Sequence, residues 1–359
     1  MPLSDQQIAE LNTPAVVVDL DIAKKNISRF QDYANIHGLK VRPHIKTHKL
    51  PAVAEIQLAA GAVGITCQKV SEAEAMIAGS DAIKDVLVTY NILGAAKLKQ
   101  LRALAGKVRL SVVADSAEVV QGLSQAFADA AEPLTVLVEC NTGANRCGVP
   151  TPEAAAELAV IIDQAPGLVF GGLMTYPAPS GEAAVQSFMT DAKRLIEEKG
   201  IAVTVITSGG TPSMMHAAKA PVVTEYRPGT YVYNDRSLVT RGVCGWDECA
   251  LNVIATVVSV PAENRAIIDA GSKALTSDLL GLTGYGHVLG REDITIDQLS
   301  EEHGRLVTEG PIGLKVGDKL RIVPNHACVV TNLVDSLTVI GEDMSEPEVW
   351  PVAARGLIV

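Results

Sequence analysis

The chain has 359 residues, 48% of them hydrophobic but only 4% aromatic, and a formal net charge of -11 with no run of Lys or Arg. That balance excludes phosphate-backbone binding as the main activity, so no nucleic-acid partner is expected. No stretch approaches the ~20 apolar residues needed to cross a bilayer, Met1 to Glu10 carries no basic-then-apolar leader, and six scattered cysteines suggest no disulfide framework; a cytoplasmic protein without a membrane partner is expected.

Leu11 to Leu20 is an apolar run after a turn signal and predicts a strand, and Asp21 to His37 reads as an amphipathic helix ended by Gly38. The pattern then becomes regular. β-rich runs recur at Val41 to Lys46, Gly64 to Cys67, Val86 to Tyr90, Arg109 to Ala114, Thr135 to Glu139, Leu168 to Thr175 and Val203 to Thr207, with Val222 to Arg227 as an eighth. Helix-forming segments separate them, among them Ser71 to Ala78, Ala95 to Leu104, Ala117 to Ala126, Pro152 to Asp163 and Gly181 to Lys199. Eight such units predict an α/β chain with a closed (β/α)8 barrel of the TIM type, its chemistry at the carboxyl ends of the strands.

From about Leu251 the texture changes to strand and turn, at Asn252 to Val260, Arg265 to Ala270, Lys319 to Val323 and Leu337 to Ile340. A second, mainly β C-terminal domain is expected, joined by the N-terminal strand. The expected division is 1–20 for that strand, 21–245 for the barrel and 246–359 for the β-domain. The charged stretch Arg291 to Gly313 is expected as a surface excursion.

Polar residues collect at the predicted strand ends. The run Val41 to Leu50, V-R-P-H-I-K-T-H-K-L, puts Lys46 where an extended segment ends. A lysine there, partly desolvated and flanked by cations, suits attack on a carbonyl cofactor; the alternative is a solvated basic turn. His44, Gln68, Asn141, Arg146 and Tyr176 join it at the same face. Ser208 to Ser213, S-G-G-T-P-S, is a glycine-rich turn whose amides and hydroxyls suit a phosphate, and Tyr226 to Tyr231, Y-R-P-G-T-Y, is a second candidate contact. In P-N-H-A-C, His326 and Cys328 would lie on one face of an extended strand and form a two-point hold on a metal such as zinc, or else be a surface histidine beside a buried cysteine. His287 and His303 read as ordinary loop histidines.

Together R-P-H-I-K-T-H-K, C-Q-K-V-S-E-A (Cys67 to Ala73), N-T-G-A-N-R-C-G-V (Asn141 to Val149), S-G-G-T, R-P-G-T-Y and P-N-H-A-C resemble the D-threonine aldolase and D-serine dehydratase family, pyridoxal 5'-phosphate enzymes of the alanine-racemase fold type. The resemblance implies that Lys46 bonds to the cofactor. It implies that Ser208, Gly209, Gly210, Thr211, Gly229 and Thr230 hold the phosphate, with Arg146 near the phenolate oxygen. His44, Tyr176, Arg227 and Tyr231 complete the expected cofactor-binding set. His326 and Cys328 would bind a divalent metal, zinc first with manganese or magnesium as alternatives, and the protein would be a homodimer acting on a small D-amino acid.

Two reactions at a D-β-hydroxy-α-amino acid such as D-serine, D-threonine or 3-hydroxy-D-aspartate follow. β-Elimination gives a 2-oxo acid and ammonia; retro-aldol cleavage gives glycine and an aldehyde. In the family's pattern dehydratase-type members carry H-x-C at the metal and aldolases H-x-D, which puts elimination first. Two features depart from the pattern: L-M-T-Y-P (Leu173 to Pro177) lacks the histidine that often follows the tyrosine, and Arg227 resembles the arginine that faces the pyridine nitrogen in racemases. An amino-acid racemase or epimerase is therefore a further alternative, and a non-catalytic pyridoxal-phosphate carrier is the alternative of another class.

Overall fold

The computed structural model describes residue 8 and residues 10–359, so residues 1–7 and 9 of the expected N-terminal segment lie outside the described residues. The chain divides into two compact units, one comprising the chain to Ile27 with Thr47–Leu50 and Thr230–Gly356, the other Ser28–Lys46, Pro51–Gly229 and Leu357–Val359.

In the second unit, eight parallel strands form one sheet: β2 (Lys40–Val41), β3 (Ile65–Cys67), β4 (Asp85–Val88), β5 (Arg109–Ala114), β6 (Leu134–Cys140), β7 (Leu168–Thr175), β8 (Ile206–Ser208) and β9 (Glu225–Tyr226). They stand in the order β2-β9-β8-β7-β6-β5-β4-β3. The ring closes through a parallel bridge between His44 and Thr66, with Val63 N donating to Val41 O at 2.9 Å and Thr66 N to Pro43 O at 2.8 Å. This is the TIM-type barrel expected from the alternation.

Helices α2 (Pro51–Ala59), α3 (Val70–Ala78), α4 (Ala95–Ala105), α5 (Ala117–Phe127), α6 (Pro152–Gln164) and α7 (Glu182–Glu197) alternate with the strands; α1 (Leu20–Ile36) precedes β2. Local chemistry sets their starts: Ser116 accepts from Val119 N, and Thr151 accepts from Ala154 N with Pro152 in the first turn. Inside the barrel Leu87, Val113, Leu137 and Met174 pack as one layer.

The run Val41 to Lys46 is shorter as a strand than expected. Pro43 has no N–H for the ladder, and the chain turns into a 3₁₀ turn at Ile45–Thr47 that carries Lys46.

The other unit holds a nine-stranded, mainly antiparallel sheet. Its centre is β10 (Leu251–Ala262), which pairs with β1 (Ala15–Asp19), β11 (Arg265–Ile268) and β15 (Lys319–Val323). Strand β1 also lies parallel to β16 (Ser336–Ile340), so the N-terminal strand is built into this sheet.

Two expectations need correction here. The charged stretch Arg291 to Gly313 contains a hairpin of β13 (Thr295–Leu299) and β14 (Gly304–Val307), with Ile296 and Leu306 buried and Arg305 paired across to Asp297 at 2.8 Å. And P-N-H-A-C is not a strand: β15 stops at Val323, and His326 caps a short helix, Ala327–Leu333. No described helix is long and apolar enough to cross a membrane, and no disulfide joins the six cysteines among the described residues.

Candidate active site

Side chains on a strand share a face every second residue. Two positions beyond the buried layer Leu87, Val113, Leu137 and Met174 therefore stand Thr89, Asp115, Glu139 and Tyr176, at the carboxyl-terminal mouth. The same step on the remaining strands takes Arg42 to His44, Thr66 to Gln68, Thr207 to Gly209 and Glu225 to Arg227. Among these, His44, Gln68, Thr89, Tyr176, Gly209 and Arg227 line a cavity with Lys46, Arg146, Met174, Gly210, Thr211 and Gly229.

Lys46 reaches this cavity because the 3₁₀ turn lifts it off β2. Its neighbour Lys49 is buried and donates from Nζ to Asn332 Oδ1 at 2.7 Å and Ala354 O at 3.1 Å. Of the two lysines in the motif, only Lys46 lines the pocket.

His44 Nδ1 accepts from Lys46 N at 3.4 Å, so Nε2 carries the proton and donates to Gln68 Oε1 at 3.1 Å. Gln68 Nε2 in turn donates to Thr89 O at 2.9 Å. Burial, aided by the charge of Lys46, holds the His44 pKa well below the usual histidine range, so the ring is neutral beside the amine.

A glycine-lined cradle follows β8. Gly209 has φ +154°, and a Cβ there would stand 2.5 Å from Arg227 N, so no side chain fits. The next residues open a 3₁₀ helix, Thr211–Lys219. Tyr226 Oη donates to Gly210 O at 3.0 Å, and Gly229 N donates to Thr211 Oγ1 at 3.2 Å, which fixes the turn. Such a cradle suits a phosphate.

Arg227 is buried to 6% exposure and forms no ion pair among the described residues. Its Nη1 donates to Thr207 Oγ1 at 2.6 Å and its Nη2 to Thr175 O at 2.8 Å. Burial pushes its pKa down to about 10, with Glu225 and Glu139 opposing, so it remains a cation at neutral pH. A guanidinium has five N–H donors, and those not used on Thr207 and Thr175 have no acceptor among the described residues. They call for one in the cavity that Arg227 lines.

Arg146 sits on a loop closed by the bridge between Cys140 and Val149, with Asn141 Oδ1 accepting from Gly143 N at 3.1 Å and Asn145 N at 3.0 Å. Its guanidinium lies over the Tyr176 ring, 4.5 Å from the centroid. Nearby Glu139 is buried, and burial pushes its carboxyl up to about 7 against the pull of Arg146.

The amine, the glycine cradle and the unsatisfied guanidinium donors together fit a phosphate-bearing aromatic aldehyde. Ser208 is buried in β8 and is not among the lining residues; its carbonyl accepts from Arg227 N at 2.9 Å. Thr230 and the buried Tyr231 belong to the other unit and are not among the lining residues.

In that other unit His326 and Cys328 come together by a route the strand reading missed. The helix start at Ala327 is fixed by Asp235 Oδ2, which accepts from Ala327 N at 3.1 Å. His326 Nδ1 meets Asp278 Oδ2 at 2.6 Å, and Cys328 Sγ lies 3.1 Å from Thr47 Oγ1 and 3.5 Å from Thr230 Oγ1. Burial lowers the His326 pKa, but Cys328, Asp278 and Asp235 outweigh it and bring it to about 9.

A carboxylate on Nδ1 orients the imidazole and leaves Nε2 as the ligand atom, an arrangement common behind metal-bound histidine. The donor pair thus fits a divalent metal. Among the described residues no third His, Cys, Asp or Glu completes a closed set. Asp278 escaped the sequence reading, since it lies 48 positions from its partner in a glycine-rich loop.

The chain resembles known proteins over nearly its whole length. An alanine racemase N-terminal domain matches residues 18–237, and a serine dehydratase domain matches residues 250–340. A D-threonine aldolase of an Arthrobacter species is 36% identical over 97% of this chain and 94% of its own. A D-threo-3-hydroxyaspartate dehydratase of a Delftia species is 31% identical over 89% and 91%. The crystal structure of D-threonine aldolase from Filomicrobium marinum superposes with a TM-score of 0.90 at 33% identity, covering 98% of each chain. The chain therefore belongs to the D-threonine aldolase and D-serine dehydratase family of pyridoxal-phosphate-dependent lyases.

Proposed function

We propose that this protein is a pyridoxal-phosphate- and divalent-metal-dependent lyase of D-β-hydroxy-α-amino acids. The observation that carries the reading is the cavity in which Lys46, the Gly209–Gly210 cradle and the unsatisfied donors of Arg227 converge. The cofactor, when bound, supplies an electron-withdrawing ring that weakens the bonds at the substrate α-carbon.

Every other task falls to the chain. Gly209, Gly210 and Thr211 would hold the phosphate, and Arg146 and Arg227 would contact the ring. His44 stays neutral and adds no positive charge beside Lys46. Lys46 Nζ is the group that takes the α-proton in an elimination. His326 and Cys328 would hold the metal, which would supply Lewis-acid chemistry. A nitrogen and sulfur pair favours zinc over manganese or magnesium.

Elimination is the first reading, supported by Cys328 as a ligand. A metal-free form of a cysteine-to-alanine variant is among the solved structures of D-threo-3-hydroxyaspartate dehydratase, 29% identical at a TM-score of 0.86, covering 96% of this chain and 98% of that one. Retro-aldol cleavage is the second, favoured by the higher identity to D-threonine aldolase. Racemases enter only as a likeness of fold, at 13% identity. A homodimer belongs to the same reading, supported by the half-exposed Leu279 and Leu280 on the loop that carries Asp278.

Product analysis decides. With D-serine, D-threonine and 3-hydroxy-D-aspartate, ammonia and a 2-oxo acid mark elimination, and glycine and an aldehyde mark cleavage. Formation of the L-enantiomer alone would refute both. Chelation or His326→Ala is expected to abolish turnover, and full activity after either removes the metal from the reaction.

A further inference from the structure

Behind Arg227 the barrel interior contains a polar chain whose other members the reaction outlined above does not use. Thr207 and Glu225 face each other in the parallel register of β8 and β9. Arg227 Nη1 donates to Thr207 Oγ1 at 2.6 Å, Thr207 Oγ1 donates to Glu225 Oε1 at 2.7 Å, and Arg42 Nε donates to Glu225 Oε2 at 2.9 Å. Beyond it, Arg42 Nη1 donates to Asp85 Oδ1 at 2.6 Å. Thr207 is fully buried, and Glu225 and Arg227 are 4% and 6% exposed.

The direction of each bond is fixed by chemistry. Guanidinium groups only donate and the carboxylate of Glu225 only accepts. The single proton of the Thr207 hydroxyl therefore goes to Glu225, and its lone pair faces Arg227. Thr175 O takes a second donor, so two rigid acceptors on β7 and β8 set the plane of the Arg227 guanidinium.

We propose that Thr207 and Glu225 are positioning residues for the lyase reaction, holding Arg227 in the orientation it presents to the cofactor ring. The proposal rests on the pyridoxal-phosphate reading above. Neither residue lines the pocket, and both act through Arg227. Glu225 offsets the cost of burying that cation, and Thr207 transmits its influence across one strand. Removing the hydroxyl frees the guanidinium to rotate, and the ring then meets a differently placed donor.

The test uses the holoenzyme carrying Thr207→Val, Thr207→Ser or Glu225→Gln. The readouts are the absorbance band of the bound cofactor, on the order of 420 nm, and kcat and KM separately. Thr207→Val is expected to displace the band and lower kcat about tenfold with KM within about twofold, and Thr207→Ser to restore both. Glu225→Gln keeps an acceptor but removes the charge, and a shift in the same direction with about a threefold loss of kcat is expected; it also serves if the valine variant fails to fold. A valine variant with the parent band and kcat overturns the relay, as does an equal loss in the valine and serine variants. Absence of any cofactor band in the parent protein overturns the underlying reading, and the relay with it.

Discussion

At the amino-terminal mouth of the barrel the charges satisfy one another, whereas at the carboxyl-terminal mouth they do not. Arg42 pairs with Asp85 at 2.6 Å and Glu225 at 2.9 Å, and Arg109 also pairs with Asp85. Lys46 and Arg227, two or more residues further along the same ring, have no ion-pair partner among the described residues. The paired mouth holds the larger cavity, about 320 Å3 against about 70 Å3. Size therefore does not mark the site; unsatisfied donors do. A cation with its counter-ion in place stabilises the fold, and a buried cation without one waits for a ligand.

The sharpest way to break this contrast is to exchange the consequences of mutation at the two mouths. Lys46→Ala is expected to reduce kcat at least about a thousandfold, ~4 kcal/mol of transition-state stabilisation, and to remove the cofactor band. Its melting temperature should stay within about 2 °C, because the amine packs against nothing that folding needs. Steady-state kinetics with thermal unfolding decides, and retained turnover or a band that persists would remove Lys46 from the site.

At the opposite mouth the signs reverse. Asp85→Ala leaves Arg42 with Glu225 alone and Arg109 with no carboxylate, and the side chain removed is only 9% exposed. A loss of about 3 kcal/mol in denaturant unfolding is expected, with kcat of the folded protein within about twofold. A variant as stable as the parent would mean that the network at this mouth is decoration. A variant that is stable but inactive would mean that the larger cavity is the one that works.

How much of this was legible in the sequence differs between the mouths for a physical reason. Lys46, the glycines of S-G-G-T and the βα alternation are visible because local punctuation carries them: a proline that ends a strand, a glycine where no Cβ fits, helix caps between apolar runs. Thr207 and Glu225 look like ordinary strand residues, and only the parallel register of β8 and β9 puts a hydroxyl against a carboxylate. His326 and Cys328 were found by a mistaken geometry. They meet not as alternate residues of a strand but because Asp235 starts a helix between them, and Asp278 arrives from a distant loop that no periodicity marks. The hairpin of β13 and β14 was missed since only Ile296, Leu299, Leu306 and Val307 interrupt its polar residues, too few to register as alternation.

Glu139 is the one carboxyl that blurs the contrast, since it is buried at the mouth where the cations are unpaired. Burial raises it from 4.5 to about 7, and Arg146, the largest opposing influence, does not cancel this. A carboxyl raised on folding contributes its stability below the unfolded pKa and loses it as pH climbs through the folded one. For the cofactor-free protein the relevant window is 4.5 to about 7. Across it the unfolding free energy of the parent should fall by about 2–3 kcal/mol relative to Glu139→Gln, which cannot ionise. Urea unfolding of both proteins at pH values of about 5 and about 8 measures the difference. If the difference is flat, Glu139 is ionised throughout and serves Arg146 as a counter-ion, and the carboxyl-terminal mouth is then partly built on the same principle as the amino-terminal one. If it falls as expected, the cations there face a neutral acid until a ligand arrives, and their charge is kept for that ligand.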